Sequence, residues 1–352
     1  MLCSSSRRLR CKCYTAAELC NRTFGPDPLP IRIRIPKCTP SPNPVADPNN
    51  WASFSTETKF TSNSSEEDEE TLVSQILSHI ENAPTLLESL HNKRLFLSPK
   101  SYNRVLITAS ERNDLYLVTQ IFKVAIASGV DASGIQPLNS DCYLTVAKAF
   151  AKTDDCEEAL LNFTKEVLES TSPSMTVLNR LLYAFGQCKE TEKAVLVFAQ
   201  VKDLNFAPDL YTYNTVIAIL GRAGRTDEML GLFESMKEAG IDPDLVSYNT
   251  VINLVRKFGE VGRCLLYFKE MGEKGVEPDL LTYTAVIDGL GRSGNIDESF
   301  KFFCEMKERR IRPSLYLYRA VISNLKKMGK LEMVATVMEE MKLCASKRNK
   351  GE

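Results

Sequence analysis

Histidine is nearly missing from this sequence: His79 and His91 are the only two among 352 residues. A Ser-His-Asp or Cys-His site would have to be built around one of them, so hydrolytic or nucleophilic catalysis finds little to work with. No stretch of 18 or more apolar residues occurs, which leaves no candidate for a membrane-crossing helix. No phosphate-binding loop is present either, since Gly221-x-x-Gly224 and Gly291-x-x-Gly294 read as glycines at helix ends. Eleven cysteines are present, but Cys142, Cys156, Cys188, Cys264, Cys304 and Cys344 stand singly at helical positions. Small buried thiols are common at such positions, and a reducing compartment fits best. Only Cys11-x-Cys13 is close-spaced, so the ligand spacings of a zinc site are absent and no metal or other cofactor is expected. The formal net charge is -1, so the chain as a whole carries no electrostatic signature of a nucleic-acid partner.

What the sequence does have is a period. Pro208-Asp209, Pro243-Asp244, Pro278-Asp279 and Pro313-Ser314 follow one another at intervals of 35 residues, without a gap. After the first three pairs come near copies beginning LYTYNTVIAILGRAGRTDEM, LVSYNTVINLVRKFGEVGRC and LLTYTAVIDGLGRSGNIDES. Self-similarity at one fixed period of this length means a stacked repeat array. Phe163, Phe198, Phe233, Phe268 and Phe303 share one place in the register, and Met338 takes it in the last copy. Units therefore start near Ser140, Met175, Leu210, Leu245, Leu280 and Leu315, with an earlier one near Pro99 set off by extra residues around Gly129 to Gln136.

Within a unit, Tyr213, Val216, Ile217 and Leu220 fall at i, i+3, i+4 and i+7, on one face of a helix. Gly224, Gly259, Gly294 and Gly329 follow that helix, where a left-handed residue ends it. A second amphipathic helix carries Met229, Phe233 and Met236, closed by Gly240 or, one unit on, Gly275. Each helical hairpin has two apolar faces that it cannot bury alone, so neighbours stack. The expected fold is all-α: a right-handed α-solenoid superhelix of stacked 35-residue helix-turn-helix repeats, with the first helices lining one inner surface.

Outside the array, residues 1–60 hold nine Lys/Arg against four Asp/Glu, leaving the rest near -6. With Ser4-Ser5-Ser6, a Pro-rich run from Pro36 to Pro48 and no apolar core, this reads as a transit peptide for an organelle, or else as a disordered tail. Arginine so near the start favours the mitochondrion over the chloroplast. Residues 61–98 read as an acidic linker, Ser62 to Glu70, followed by two capping helices over Leu72 to Leu90 broken at Pro84. The repeats are expected over 99–139, 140–174, 175–209, 210–244, 245–279, 280–314 and 315–343, with 344–352 as a basic tail.

Lys152, Arg222, Lys257, Arg292 and Lys327 recur at one phase near the end of the first helix. A cation at the period of the array traces a stripe that suits a phosphate backbone; the alternative is a preference of Lys and Arg for helix C-termini.

The unit resembles the pentatricopeptide repeat, P-class: period 35, Tyr-Asn-Thr-Val-Ile in the first helix, Phe-x-x-Met in the second and Pro-Asp at the end. Tetratricopeptide repeats differ in their 34-residue period and tryptophan pattern, and the one tryptophan here, Trp51, lies outside the array. The match covers about 99 to 343 and is best formed in the units starting at Leu210, Leu245 and Leu280. The resemblance implies sequence-specific binding of single-stranded RNA in plant organelles, one base per repeat. It implies that the fifth and last residues of a unit face the base: Asn179 with Asp209, Asn214 with Asp244, Asn249 with Asp279, and Thr284 with Ser314. The Asn-Asp combination implies uracil, hence a short U-rich core read 5′ to 3′ along the chain; Leu144 with Ser174 offers no evident hydrogen-bonding reader. Second residues Thr176, Tyr211, Val246, Leu281 and Tyr316 would sandwich the bases. No zinc deaminase tail follows the last unit, and no catalysis is expected. With three well-formed reading pairs, modest affinity is expected, and a protein partner or homodimer would add specificity. The rival reading is a helical scaffold that binds a protein partner in an organellar complex, which would explain the low net charge.

Overall fold

In the computed structural model, residues 66–93, 95, 97–128, 138–170 and 174–349 are described. The transit peptide expected over 1–60, the start of the acidic linker, the insertion around Gly129 to Gln136 and Pro173 lie outside them. The described residues form sixteen α-helices and one short 3-10 turn, with no strand among them. The chain is an all-α solenoid of helical hairpins, as its period requires. Its residues divide into two compact units, before and after Tyr143.

The first unit holds α1 (Glu66–Ser78), a 3-10 turn (Ile80–Asn82), α2 (Ala83–Asn92), α3 (Pro99–Glu111) and α4 (Leu115–Ser128). Val73, Ile76, Leu87, Val105, Leu106, Ile121 and Phe122 are its buried core. The chain turns at Ile80–Asn82, ahead of Pro84; the proline sits in the first turn of α2, where its missing N–H costs nothing. The acids expected as linker belong partly to structure. The Glu69 carboxylate accepts from the Ser98 amide at 2.7 Å, and Glu70 pairs with Arg104 at 2.6 Å, tying α1 to the start of α3. Burial pushes the Cys142 thiol up to about 12, leaving it protonated.

The second unit is a run of hairpins. They are α5 (Ser140–Lys152, its first three residues in the other unit) with α6 (Glu157–Ser170), α7 (Ser174–Cys188) with α8 (Thr191–Asp203), and α9 (Leu210–Arg222) with α10 (Thr226–Glu238). Then come α11 (Leu245–Lys257) with α12 (Val261–Glu273), α13 (Leu280–Arg292) with α14 (Ile296–Glu308), and α15 (Leu315–Lys327) with α16 (Leu331–Asn349). The last helix continues through most of the segment expected as a basic tail. Tyr213, Val216, Ile217 and Leu220 are all buried, as are Met229, Phe233 and Met236.

One aromatic contact repeats between hairpins. Phe198 meets Tyr213 edge to face at 5.3 Å, Phe233 meets Tyr248 at 5.5 Å, Phe268 meets Tyr283 at 5.3 Å and Phe303 meets Tyr318 at 5.5 Å. The second helix of one unit thus grips the first helix of the next. Each such pair contributes about 0.5–1.5 kcal/mol beyond the burial of its rings. The buried phenols find acceptors as burial demands: Tyr248 donates to Glu270 at 3.0 Å and Tyr283 to Glu305 at 2.9 Å.

Gly224, Gly259, Gly294 and Gly329 have φ between 72° and 86°, so they end their helices in the left-handed region. Gly221 and Gly291 have another role than helix ends: a Cβ at Gly221 would overlap Leu254 of α11, and one at Gly291 would overlap Asn324 of α15. They let successive first helices approach closely.

Candidate functional site

A helix start leaves backbone N–H groups without partners, and a side-chain oxygen at the N-cap satisfies them. Asp209, Asp244 and Asp279 cap α9, α11 and α13 in extended backbone, accepting from the amides of Thr212 (2.7 Å), Ser247 (2.8 Å) and Thr282 (3.0 Å). The same carboxylates, each the last residue of its unit, face the first helix of that unit. Asn179 Nδ2 donates to Asp209 at 3.3 Å, Asn214 Nδ2 to Asp244 at 3.4 Å, and Asn249 Nδ2 to Asp279 at 3.1 Å. All three Asn-Asp pairs read from the register are therefore brought together, each across 30 residues of chain. Only the NH₂ side of an amide can face a carboxylate, which fixes how each asparagine points.

The three pairs are not identical. Asn179 Oδ1 lies 2.7 Å from the Thr212 hydroxyl and Asn249 Oδ1 lies 2.5 Å from that of Thr282. All three hydroxyls lie within 3.0 Å of their aspartate, but in the middle pair, where serine replaces threonine, Ser247 bonds Asp244 alone and Asn214 Oδ1 is buried without a protein donor.

The fourth pair behaves differently. Thr284 donates back to the Leu280 carbonyl at 2.6 Å, and Ser314 caps α15 by accepting from the Leu317 amide at 3.2 Å. Each side chain makes this hydrogen bond within its own helix. Leu144 is half-buried and carries no polar atom on its side chain.

Beside these pairs runs a row of exposed apolar side chains. Tyr211 is 48% exposed, Val246 37%, Leu281 64% and Tyr316 56%, and Thr176 at the same place in α7 is also exposed. Apolar residues repeatedly left in water at one phase mark a contact surface. Desolvation, then the neighbouring phenol of Tyr183, holds the Tyr211 hydroxyl above its ordinary pKa, so it stays neutral and a donor.

The five cations are the last residues of their helices, and the structure does not make them equivalent. Lys152 and Lys327 are exposed. Arg222 is half-buried, its Nε donating to the Ala218 carbonyl at 3.2 Å; Lys257 is half-buried with its Nζ out of water. Arg292 is exposed but paired with Asp288 at 3.0 Å, and that carboxylate is the main cause holding the guanidinium's pKa above its usual value. The stripe is uneven because each cation answers to its own neighbours.

Two groups of the first-helix face escaped the sequence reading. Tyr183 is 49% exposed and accepts from Gln187 Nε2 at 2.8 Å. Asp288 is nearly buried and takes Arg256 of α11 as well as Arg292. Both occupy the ninth place of their unit, held by Ala218 and Asn253 in between; aligning that place would have flagged them. Among the described residues no group of three His, Cys, Asp or Glu is placed to hold a metal ion, and no helix is long and apolar enough to cross a membrane.

Residues 208–257, 243–292 and 281–327 match the PPR repeat family, residues 170–222 the pentatricopeptide repeat domain, and residues 316–344 the PPR repeat. A pentatricopeptide repeat-containing protein of Arabidopsis thaliana is 39% identical over 149 residues, 35% of this chain and 39% of that protein. The crystal structure of the maize pentatricopeptide repeat protein PPR10 is similar with a TM-score of 0.51 and 20% identity, over 80% of this chain and 39% of that one. PPR10 in complex with an 18-nt psaJ RNA element matches with a TM-score of 0.43 and 20% identity, over 78% of this chain and 42% of that one. The chain thus spans about two-fifths of the length of these relatives.

Proposed function

Residues 170–344 are pentatricopeptide repeats, and from that premise we propose that the protein binds single-stranded RNA in an organelle, one base per repeat around a short uridine-rich core. The binding would support processing, stabilisation, splicing or translation of a transcript. One observation carries the reading: three Asn-Asp pairs stand in phase, each next to exposed side chains one unit apart. A flat base slotted between Tyr211 and Val246, or between Val246 and Leu281, would bring its edge to Asn214 and Asp244 or to Asn249 and Asp279. An amide N–H beside a carboxylate oxygen offers a donor and an acceptor, and the uracil edge offers a carbonyl and an N–H in return. Asn179 with Asp209 would read the first uridine between Thr176 and Tyr211. Thr284 with Ser314, between Leu281 and Tyr316, would read weakly. Among the cations, exposed Lys152 would meet phosphate as it stands, and exposed Lys327 would do so only for a strand that runs past residues 280–314; Arg222 and Lys257 would have to turn outward.

Stacking contributes on the order of 1–3 kcal/mol per base, while docking and ordering a flexible strand cost several kcal/mol. Three good pairs therefore give modest affinity, and a protein partner or a homodimer would supplement it. The arginines of residues 1–60 favour import into the mitochondrion over the chloroplast. The second reading, a scaffold for a protein partner, draws on the charge near -6 left once those residues are removed.

Gel shift with U-rich and scrambled RNA oligomers tests the reading, using the wild type and an Asn214→Ala, Asn249→Ala double variant. The wild type should prefer the U-rich RNA and the variant should lose that preference. Equal binding of both RNAs by both proteins defeats base reading; no binding by the wild type to either RNA leaves the scaffold.

A further inference from the structure

Asp288 is where three successive first helices meet. It lies in the middle of α13 on the face that carries the reading pairs, and it is only 8% exposed. Its carboxylate accepts from the Arg256 guanidinium of α11 and, at 3.0 Å, from Arg292 Nε of its own helix. The Tyr316 hydroxyl of α15 lies 3.5 Å from the other oxygen. Arg256 is steadied in turn by Asn253 Oδ1, at 3.3 Å from Nε and 2.8 Å from Nη2. The same place holds Tyr183, Ala218 and Asn253 in the three preceding units and Ser323 in the next. Asp288 alone is anionic.

A buried carboxylate survives only with cations and hydrogen bonds around it. Here the partners are guanidinium groups, whose planar donor fork fits a carboxylate and a phosphate alike. Asp288 therefore sits in an anion site that it fills itself. The unit in which this occurs is also the first whose reading pair turns away, at Thr284 and Ser314. Tyr316, the outer platform of that unit, contacts the same carboxylate.

We infer that Asp288 is a built-in anion that closes the RNA track at the unit of residues 280–314. By satisfying Arg256 and Arg292 internally it denies them to phosphate, so the footprint ends after the pair Asn249 and Asp279. Nucleotides added on the 3′ side of the uridine core then gain nothing from this unit. The inference rests on the RNA-binding reading above, and it concerns where that binding stops.

The test compares two RNAs, one ending at the uridine core and one extended on its 3′ side, each titrated over a range of salt. Asp288→Asn keeps the shape and removes the charge; Asp288→Ser, copying α15, is measured in parallel in case one variant folds poorly. Asp227→Asn, an exposed acid in α10, controls for net charge. The wild type should bind both RNAs equally. Each arginine released to phosphate should strengthen binding of the extended RNA about fivefold at 0.1 M salt and steepen its log-log salt slope by about 0.7. The short RNA should gain less, since only Arg256 lies in a unit of the core, and Arg292→Gln in the Asp288→Asn background should reduce the gain of the extended RNA. Unchanged binding by both Asp288 variants overturns the inference, as does an equal gain for both RNAs or for Asp227→Asn. A wild type that binds neither RNA would refute the RNA-binding reading itself.

Discussion

The unit starting at Leu245 and the one starting at Leu280 share a scaffold and differ on the face it presents. In both, a buried tyrosine in the first helix meets a phenylalanine of the preceding unit edge to face and donates to a glutamate of its own second helix. Yet Asn249 reaches Asp279 at the far end of its unit, whereas Thr284 folds back on the Leu280 carbonyl. The ninth place is Asn253 in one and the ion-paired Asp288 in the other. Packing sets the period, and the period leaves a few outward side chains free to diverge. On the proposal above, a scaffold would thus stay regular while its recognition face ends.

The comparison can be broken most severely through the scaffold. Tyr248→Ala and Tyr283→Ala should each destabilise the array by about 3–5 kcal/mol, followed by hydrogen exchange in the flanking helices. Similar losses are expected, since the contacts match; a several-fold difference would mean that the two scaffolds are not equivalent. Recognition should separate them. Asn249→Ala should weaken binding of U-rich RNA about tenfold, the equivalent of one neutral hydrogen bond near 1.4 kcal/mol, while Thr284→Ala should change it less than twofold in the same titration. The caps come next: Asp279→Ala and Ser314→Ala should each cost about 1 kcal/mol. Asp279 should cost more, because it also anchors Asn249; equal melting shifts would speak against that anchor. The smallest effect runs the other way. Lys189 and Arg310 hold φ of 69° and 61° without being glycine. Lys189→Gly and Arg310→Gly should each stabilise by about 0.5–1 kcal/mol, the left-handed penalty less the entropy of a glycine, seen as a small rise in melting temperature.

Those two positions also mark what the sequence conceals. Gly224, Gly259, Gly294 and Gly329 announce their turns, but nothing about Lys189 or Arg310 announces one. Their conformation is imposed by the same closing bonds the glycines make, Glu190 N to Phe185 O and Ile311 N to Met306 O, both 3.0 Å. The helices and their buried faces were legible because a fixed period returns Tyr213, Tyr248 and Tyr283 to one environment. The Asn-Asp pairs were legible as pairs, but their direct contact was not. It depends on how tightly first helices stack, and between α7 and α9 and between α9 and α11 the missing Cβ of Gly186 and of Gly221 leaves room for that approach. The apparent equivalence of Lys152, Arg222, Lys257, Arg292 and Lys327 failed because equal spacing does not give equal neighbours. Asp288 was missed for the converse reason: its partners make it distinctive, and they come from two other helices.

The double employment of Asp209, Asp244 and Asp279 has a consequence for anyone who would rewrite this array. Each carboxylate starts one first helix and holds an asparagine of the first helix before that. On the base-reading proposal the letters of the code would thus also be mortar between its bricks. Exchanging them to address a different transcript loosens the joint at that point, so a recoded array inherits a mechanical debt that grows with every altered unit. Serine at the boundary, as at Ser314, keeps the helix start while giving up the grip on its neighbour. Reprogramming should therefore begin at that boundary, where the mortar is already thin.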